Sequence, residues 1–133
     1  MKKLLCAVLI ILLVVSASCV AYADDNSASP LGFARNYTVK NVNDSPKTIM
    51  SDINAFSEHH ITCSWTDSSG PSAIKVYCEI KVNGAWCSYG SPITLTAIDQ
   101  AAGFVIKGGE GFRLKVKRTS GSYGDCKFGV TLI

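Results

Sequence analysis

Across residues 73–82 apolar and polar side chains alternate without a break. Ile74, Val76, Cys78, Ile80 and Val82 take one parity, and Lys75, Tyr77, Glu79 and Lys81 the other. A period of two belongs to an extended strand, whose successive side chains leave by opposite faces, so this segment has one core face and one wet face. Asn83-Gly84 follows. Both residue types tolerate the positive φ angles of a type I′ turn, which sends residues 85–89 back alongside as the second arm of a hairpin. With a two-residue turn, Val82 faces Ala85, Ile80 faces Cys87 and Cys78 faces Tyr89.

The alternation recurs along the chain. Phe112, Leu114 and Val116 alternate with Arg113, Lys115 and Lys117; Cys126, Phe128, Val130 and Leu132 form the inward set of a last strand, and Ile61, Cys63 and Trp65 that of an earlier one. Residues 37–42, 93–97 and 104–106 add shorter candidates, and Gly, Pro, Asn and Ser clusters separate them. Residues 45–56 read two ways. Either Ser45-Pro46 caps a helix that buries Ile49, Ile53 and Phe56, or it turns a hairpin. About seven to eight short strands in some hundred residues predict an all-β fold, a small antiparallel β-sandwich, with a small closed β-barrel as the alternative.

The N-terminus predicts where this domain resides. Lys2 and Lys3 precede an apolar run, Leu4 to Val15, and small residues ending in Ala21-Tyr22-Ala23. This is the layout of a secretory signal peptide over residues 1–23, cleaved before Asp24. The apolar run falls short of the roughly 20 residues of a membrane span. Retention as an uncleaved anchor and lipidation at Cys19 are the alternatives; against the latter, Ser16 stands where a lipoprotein signal has a branched aliphatic residue. Residues 24–35, with Pro30 and Gly32, form a flexible lead-in, and 36–133 a single sandwich domain.

Export implies an oxidising compartment, in which Cys63, Cys78, Cys87 and Cys126 are expected to pair as disulfides, each contributing about 2–4 kcal/mol. The hairpin register puts Cys78 and Cys87 on one face but diagonally, roughly 7–8 Å apart, which is long for a bridge. Bridges to Cys63 and Cys126 are therefore favoured. The absence of Cys-x-x-Cys spacing argues against a structural zinc, and no residue pattern calls for any cofactor or metal.

Charged residues make up only 17% of the chain, and its net charge of +3 falls to +1 once Lys2 and Lys3 leave with the signal peptide. A nucleic-acid binder does not fit that balance. Catalysis has few candidates. His59 and His60 are adjacent, beside Glu58, and with Asp52 or Asp67 would make a general-base site, but neighbours on an extended segment point to opposite faces. Gly108-Gly109-Glu110-Gly111 lacks the Lys and the helix of a phosphate loop and reads as a turn. The sequence therefore points to a non-enzymatic protein.

Charge is concentrated near the C-terminus. Lys107, Arg113, Lys115, Lys117, Arg118 and Lys127 stand against only Glu110 and Asp125. Arg113, Lys115 and Lys117 share one outward face by parity, and Lys127 joins it if the last two strands pair. Alternating lysines also keep ordinary sheet faces soluble. Trp86 and Tyr77 fall on nominally wet faces and Tyr123 in a Gly/Ser loop, where rings stack on sugars or enter a membrane interface.

The expected function is that of a secreted binding module at or outside the cell surface. Its ligand would be an anionic polysaccharide, a cell-wall polymer or a membrane surface, met by Arg113, Lys115, Lys117, Lys127, Tyr123 and Trp86. A membrane-active antagonist of bacteriocin or toxin type is one alternative and a small secreted hydrolase the other. An exposed strand edge would permit self-association, and no residue demands it.

Overall fold

The computed structural model describes residues 33–53 and 58–133. The expected signal peptide, Cys19 and residues 24–32 of the expected lead-in lie outside the described residues. Nine strands follow in order: β1 (Phe33–Val42), β2 (Lys47–Asp52), β3 (Glu58–Ser68), β4 (Pro71–Val82), β5 (Ala85–Ser88), β6 (Ile93–Leu95), β7 (Ala101–Lys107), β8 (Gly111–Gly121) and β9 (Gly124–Leu132). They form two sheets. The first has the order β1-β9-β3-β7, the second β2-β8-β4-β5, with β6 also beside β4.

Every pairing is antiparallel, and only β4 and β5 pair as consecutive strands. Apart from β4, β5 and β6, which all lie in the second sheet, the chain passes back and forth between the layers, which is the winding of a jelly roll. The expected antiparallel sandwich is thus present. Its core fills the space between the sheets, with Trp65, Phe128, Ile61 and Val130 from the first and Phe112, Leu114, Ile74 and Val76 from the second, all 0–1% exposed. Each such side chain contributes roughly 1.5–3 kcal/mol through burial.

The hairpin turn has the expected form. Asn83 and Gly84 take φ angles of 49° and 78°, and Val82 faces Ala85 while Ile80 faces Cys87. Tyr89 N–H donates to the Cys78 carbonyl at 2.9 Å. Elsewhere the structure departs from the sequence reading. Residues 47–52 are neither a helix nor an arm of a hairpin: β1 and β2 lie in different sheets. A bulge between Thr48 and Met50 lets Ile49 and Met50 both turn inward, and two adjacent apolar residues blur the period-two signal. The strand β1 also begins at Phe33, inside the expected lead-in.

The segment read as a Gly/Ser loop is mostly strand. β8 continues to Gly121 and β9 starts at Gly124, and these two strands belong to opposite sheets. They do not pair. Residues 108–110 likewise carry the chain from one sheet to the other instead of turning it within one.

The cysteines, expected to be disulfide-bonded, are free thiols in this structure: Cys63, Cys78 and Cys126 are buried and Cys87 is exposed. The register disfavours two of the possible pairs. Cys63 faces Val130, four positions along β9 from Cys126, which at about 3.3 Å per residue is roughly 13 Å, twice a disulfide span. Cys78 and Cys87 sit two pairs apart along the β4–β5 ladder, as the two-residue turn requires. Cohesion of the described domain is carried by the apolar core between the sheets.

Candidate binding face

The outer face of the second sheet collects the charge. β8 turns Arg113, Lys115 and Lys117 outward because Phe112, Leu114 and Val116, each 0% exposed, occupy the core side. β4 likewise turns Lys75, Tyr77, Glu79 and Lys81 outward from a row of buried Ile74, Val76 and Cys78. The two strands pair so that Lys117 faces Lys75, Lys115 faces Tyr77 and Arg113 faces Glu79. Neighbouring strands extend these rows: Trp86 faces Lys81, Thr94 faces Lys75, Thr48 faces Lys115 and Ser51 faces Arg113. Among the described residues, five cations therefore share this face with a single carboxylate.

Glu79 holds two of them. Arg113 Nε donates to Glu79 Oε2, and Lys115 Nζ lies 3.7 Å from Glu79 Oε1. The three side chains are only 26%, 21% and 18% exposed in the order Arg113, Lys115, Glu79, so water screens them less than it screens a surface pair. The aromatic rings act on cations too. The Arg113 guanidinium lies 4.5 Å from the centre of the Trp86 ring and Lys81 Nζ 6.0 Å from it, while Lys117 Nζ lies 5.7 Å from the centre of the Tyr77 ring. A ring under a cation attracts it through the negative π face. Trp86 and Tyr77 thereby restrain the positive groups. Among the described residues, no ion pair involves Lys75, Lys81 or Lys117.

The remaining candidates lie elsewhere. Because β8 and β9 part company, Lys127 is on the first sheet, where its Nζ meets Asp67 Oδ2 at 2.9 Å. That hydrogen-bonded contact lowers the Asp67 pKa and raises that of Lys127. Tyr123 is held at the β8–β9 corner: its hydroxyl donates to Asp44 Oδ2 at 3.0 Å, and the Arg118 guanidinium lies 4.8 Å from the ring centre while binding the other Asp44 oxygen at 2.6 Å. This links the β1–β2 and β8–β9 connections. Tyr123 remains 57% exposed, but its polar end is already engaged.

The histidines separate as strand parity requires. The His59 ring is half-buried, its centre 6.1 Å from that of Phe112, while His60 is exposed and its Nε2 meets Glu58 Oε1 at 3.0 Å. That hydrogen bond, followed by the charge of Lys107, lowers the Glu58 pKa. Among the described residues no group of three His, Cys, Asp or Glu side chains is placed to hold a metal, and no helix is long and apolar enough to cross a membrane.

Arg113, Lys115, Lys117 and Trp86 are marked as outward site residues by the sequence, whereas Lys75, Glu79 and Lys81 are not singled out by it. Their outward parity was visible; the pairing of β4 with β8, 30 and more residues away, was not.

No protein-family model matches this chain, and no curated protein sequence matches it. Solved structures do. The crystal structure of PirA aligns with a TM-score of 0.52 at 13% identity, over 72% of this chain and 91% of that one. The Yersinia pseudotuberculosis-derived mitogen aligns with a TM-score of 0.50 at 13% identity, over 76% and 86%. At such identities the likeness is one of fold, and it places this chain among proteins built on the same β-sandwich.

Proposed function

We propose that the protein is an exported, non-enzymatic binding module that takes an anionic polymer of the cell surface or its surroundings across the outer face of the second sheet. One observation carries this reading: among the described residues, Lys75, Lys81, Arg113, Lys115 and Lys117 share that face with Glu79 as the only carboxylate. A cationic surface on a rigid sheet attracts polyanions with an attraction that falls as salt rises. Export is supported by the sequence of residues 1–23. Binding without catalysis is supported by the divergence of His59 and His60.

The test is elution from an immobilised polyanion, polygalacturonate, across a salt gradient, with the variant K75Q/K115Q/K117Q alongside. Arg113 stays, since it is packed between Glu79 and Trp86. The native protein is expected to elute late and the variant near the void volume. Equal early elution would reduce the face to an ordinary solvated surface. Leakage of dye from anionic vesicles would instead favour membrane attack.

A further inference from the structure

Within this face one row is electrostatically unbalanced. Lys75 and Lys117 stand directly opposite each other on antiparallel β4 and β8, where Cβ atoms lie about 4.5–5.5 Å apart and like charges destabilise the pair. Both side chains are half-buried, and Lys117 is further held against the Tyr77 ring. Glu79, the one carboxylate of the face among the described residues, lies four residues along β4 from Lys75 and is engaged with Arg113 and Lys115. On the other side of Lys75, β6 presents the exposed Thr94 in the same row. The row Thr94–Lys75–Lys117 therefore offers two ammonium groups and a hydroxyl, all able to donate, with no negative charge among them.

We propose that this row is a phosphate subsite. A phosphate group carries up to two negative charges at neutral pH and has several acceptor oxygens, so it can take hydrogen bonds from Lys75 Nζ, Lys117 Nζ and Thr94 Oγ1 together and cancel the lysine repulsion. A carboxylate brings one charge and two oxygens and meets only part of that demand. The inference rests on the cationic-face reading and specifies the group that the face recognises; the phosphate is either free or carried along a polymer.

The thermal midpoint of the full chain, measured in chloride and in inorganic phosphate at matched ionic strength, tests the subsite with K75Q and K117Q as variants and K127Q, on the other sheet, as the control. The native protein is expected to gain stability in phosphate. K75Q and K117Q should melt no lower than the native protein in chloride, their repulsion being gone, and should lose most of the phosphate gain; K127Q should keep it. No gain in the native protein, or an equal gain in K75Q and K117Q, overturns the subsite, since phosphate also stabilises proteins by general exclusion.

Polyphosphate as a second probe separates the sources. A larger gain per phosphate group than with inorganic phosphate assigns a polymer, an equal gain the free ion. Failure of the subsite with polygalacturonate retention intact leaves the binding face standing. A phosphate gain lost in K75Q and K117Q, in a protein that polygalacturonate does not retain, leaves the subsite standing and removes the polygalacturonate type of ligand.

Discussion

Glu79 has two opposed effects at the scale of a single residue. It neutralises part of the cationic face, and it anchors Arg113 and Lys115 in the middle of the second sheet. Removing its charge leaves two partly buried cations without their partner, a loss between that of an exposed pair and that of a buried one. Glu79→Gln should therefore lower unfolding stability by about 1–2 kcal/mol while delaying elution from polygalacturonate. Opposite signs in urea denaturation and in retention would separate the structural role from the binding role. A retention unchanged by E79Q would place the bound polymer away from this residue.

The cysteines make a second prediction at this scale. Burial pushes the Cys63 and Cys78 thiols up from 9.0 to about 12, so both stay protonated and unreactive, whereas Cys87 is exposed on β5. Iodoacetamide followed by mass spectrometry should label Cys87 alone in the native protein, and all four cysteines of the 58–133 segment after unfolding. The same shifts set a pH dependence. A thiol whose folded pKa is raised keeps its full contribution to stability below the unfolded value of 9.0 and loses it as pH rises from there toward about 12. The thermal midpoint should accordingly fall above pH 9, and Cys63→Ala, though less stable at neutral pH through its cavity, should flatten that fall.

Among the elements, two glycines separate conformational strain from steric exclusion. Gly84 in the β4–β5 turn has a φ of +78° and open space where a Cβ would stand; Gly121 at the end of β8 has a φ of +85° and would place a Cβ 2.4 Å from Ser72 N and 2.7 Å from the Gly70 carbonyl oxygen. Gly84→Ala should therefore cost only the left-handed conformation, about 1 kcal/mol. Gly121→Ala must also push the start of β4 away, and should cost about 2 kcal/mol or more. Urea denaturation of the two variants measures the difference.

The contrast between β5 and β9 shows what was legible in the chain. Asn83-Gly84 specifies a turn chemistry that allows only one local outcome, so the β4–β5 hairpin and its register follow from the residues. Nothing comparable marks the β8–β9 connection: Phe112, Leu114 and Val116 alternate like Phe128, Val130 and Leu132 whichever sheet each strand joins. Alternation tells which side chains point inward and is silent about which sheet they point in from. For that reason Lys127 fell into the expected site and Lys75 and Lys81 fell out of it. At β2 even alternation failed, because a bulge buries Ile49 and Met50 in succession.

At the scale of the whole molecule the two outer faces differ in kind. Across the first sheet run the rows Ala34–Thr131–Thr62–Gly103 and Asn36–Gly129–Ser64–Ala101, small and uncharged, with Lys127 neutralised by Asp67 beside them. Across the second run the five cations and Glu79. A polyanion that responded only to net charge would not distinguish one face from the other, and Lys117→Gln and Lys127→Gln each remove a single positive charge. Organised binding predicts that they differ. Because each lysine engaged with a linear polyanion releases condensed counterions, K117Q should make the dependence of log affinity on log salt shallower by about one unit, and Lys127→Gln should leave that slope where it is in the native protein. Equal slopes in the two variants, measured by titration with polyphosphate at several salt concentrations, would mean that the protein binds through its overall charge and that the sorting of charge onto one face of the sandwich has no part in recognition.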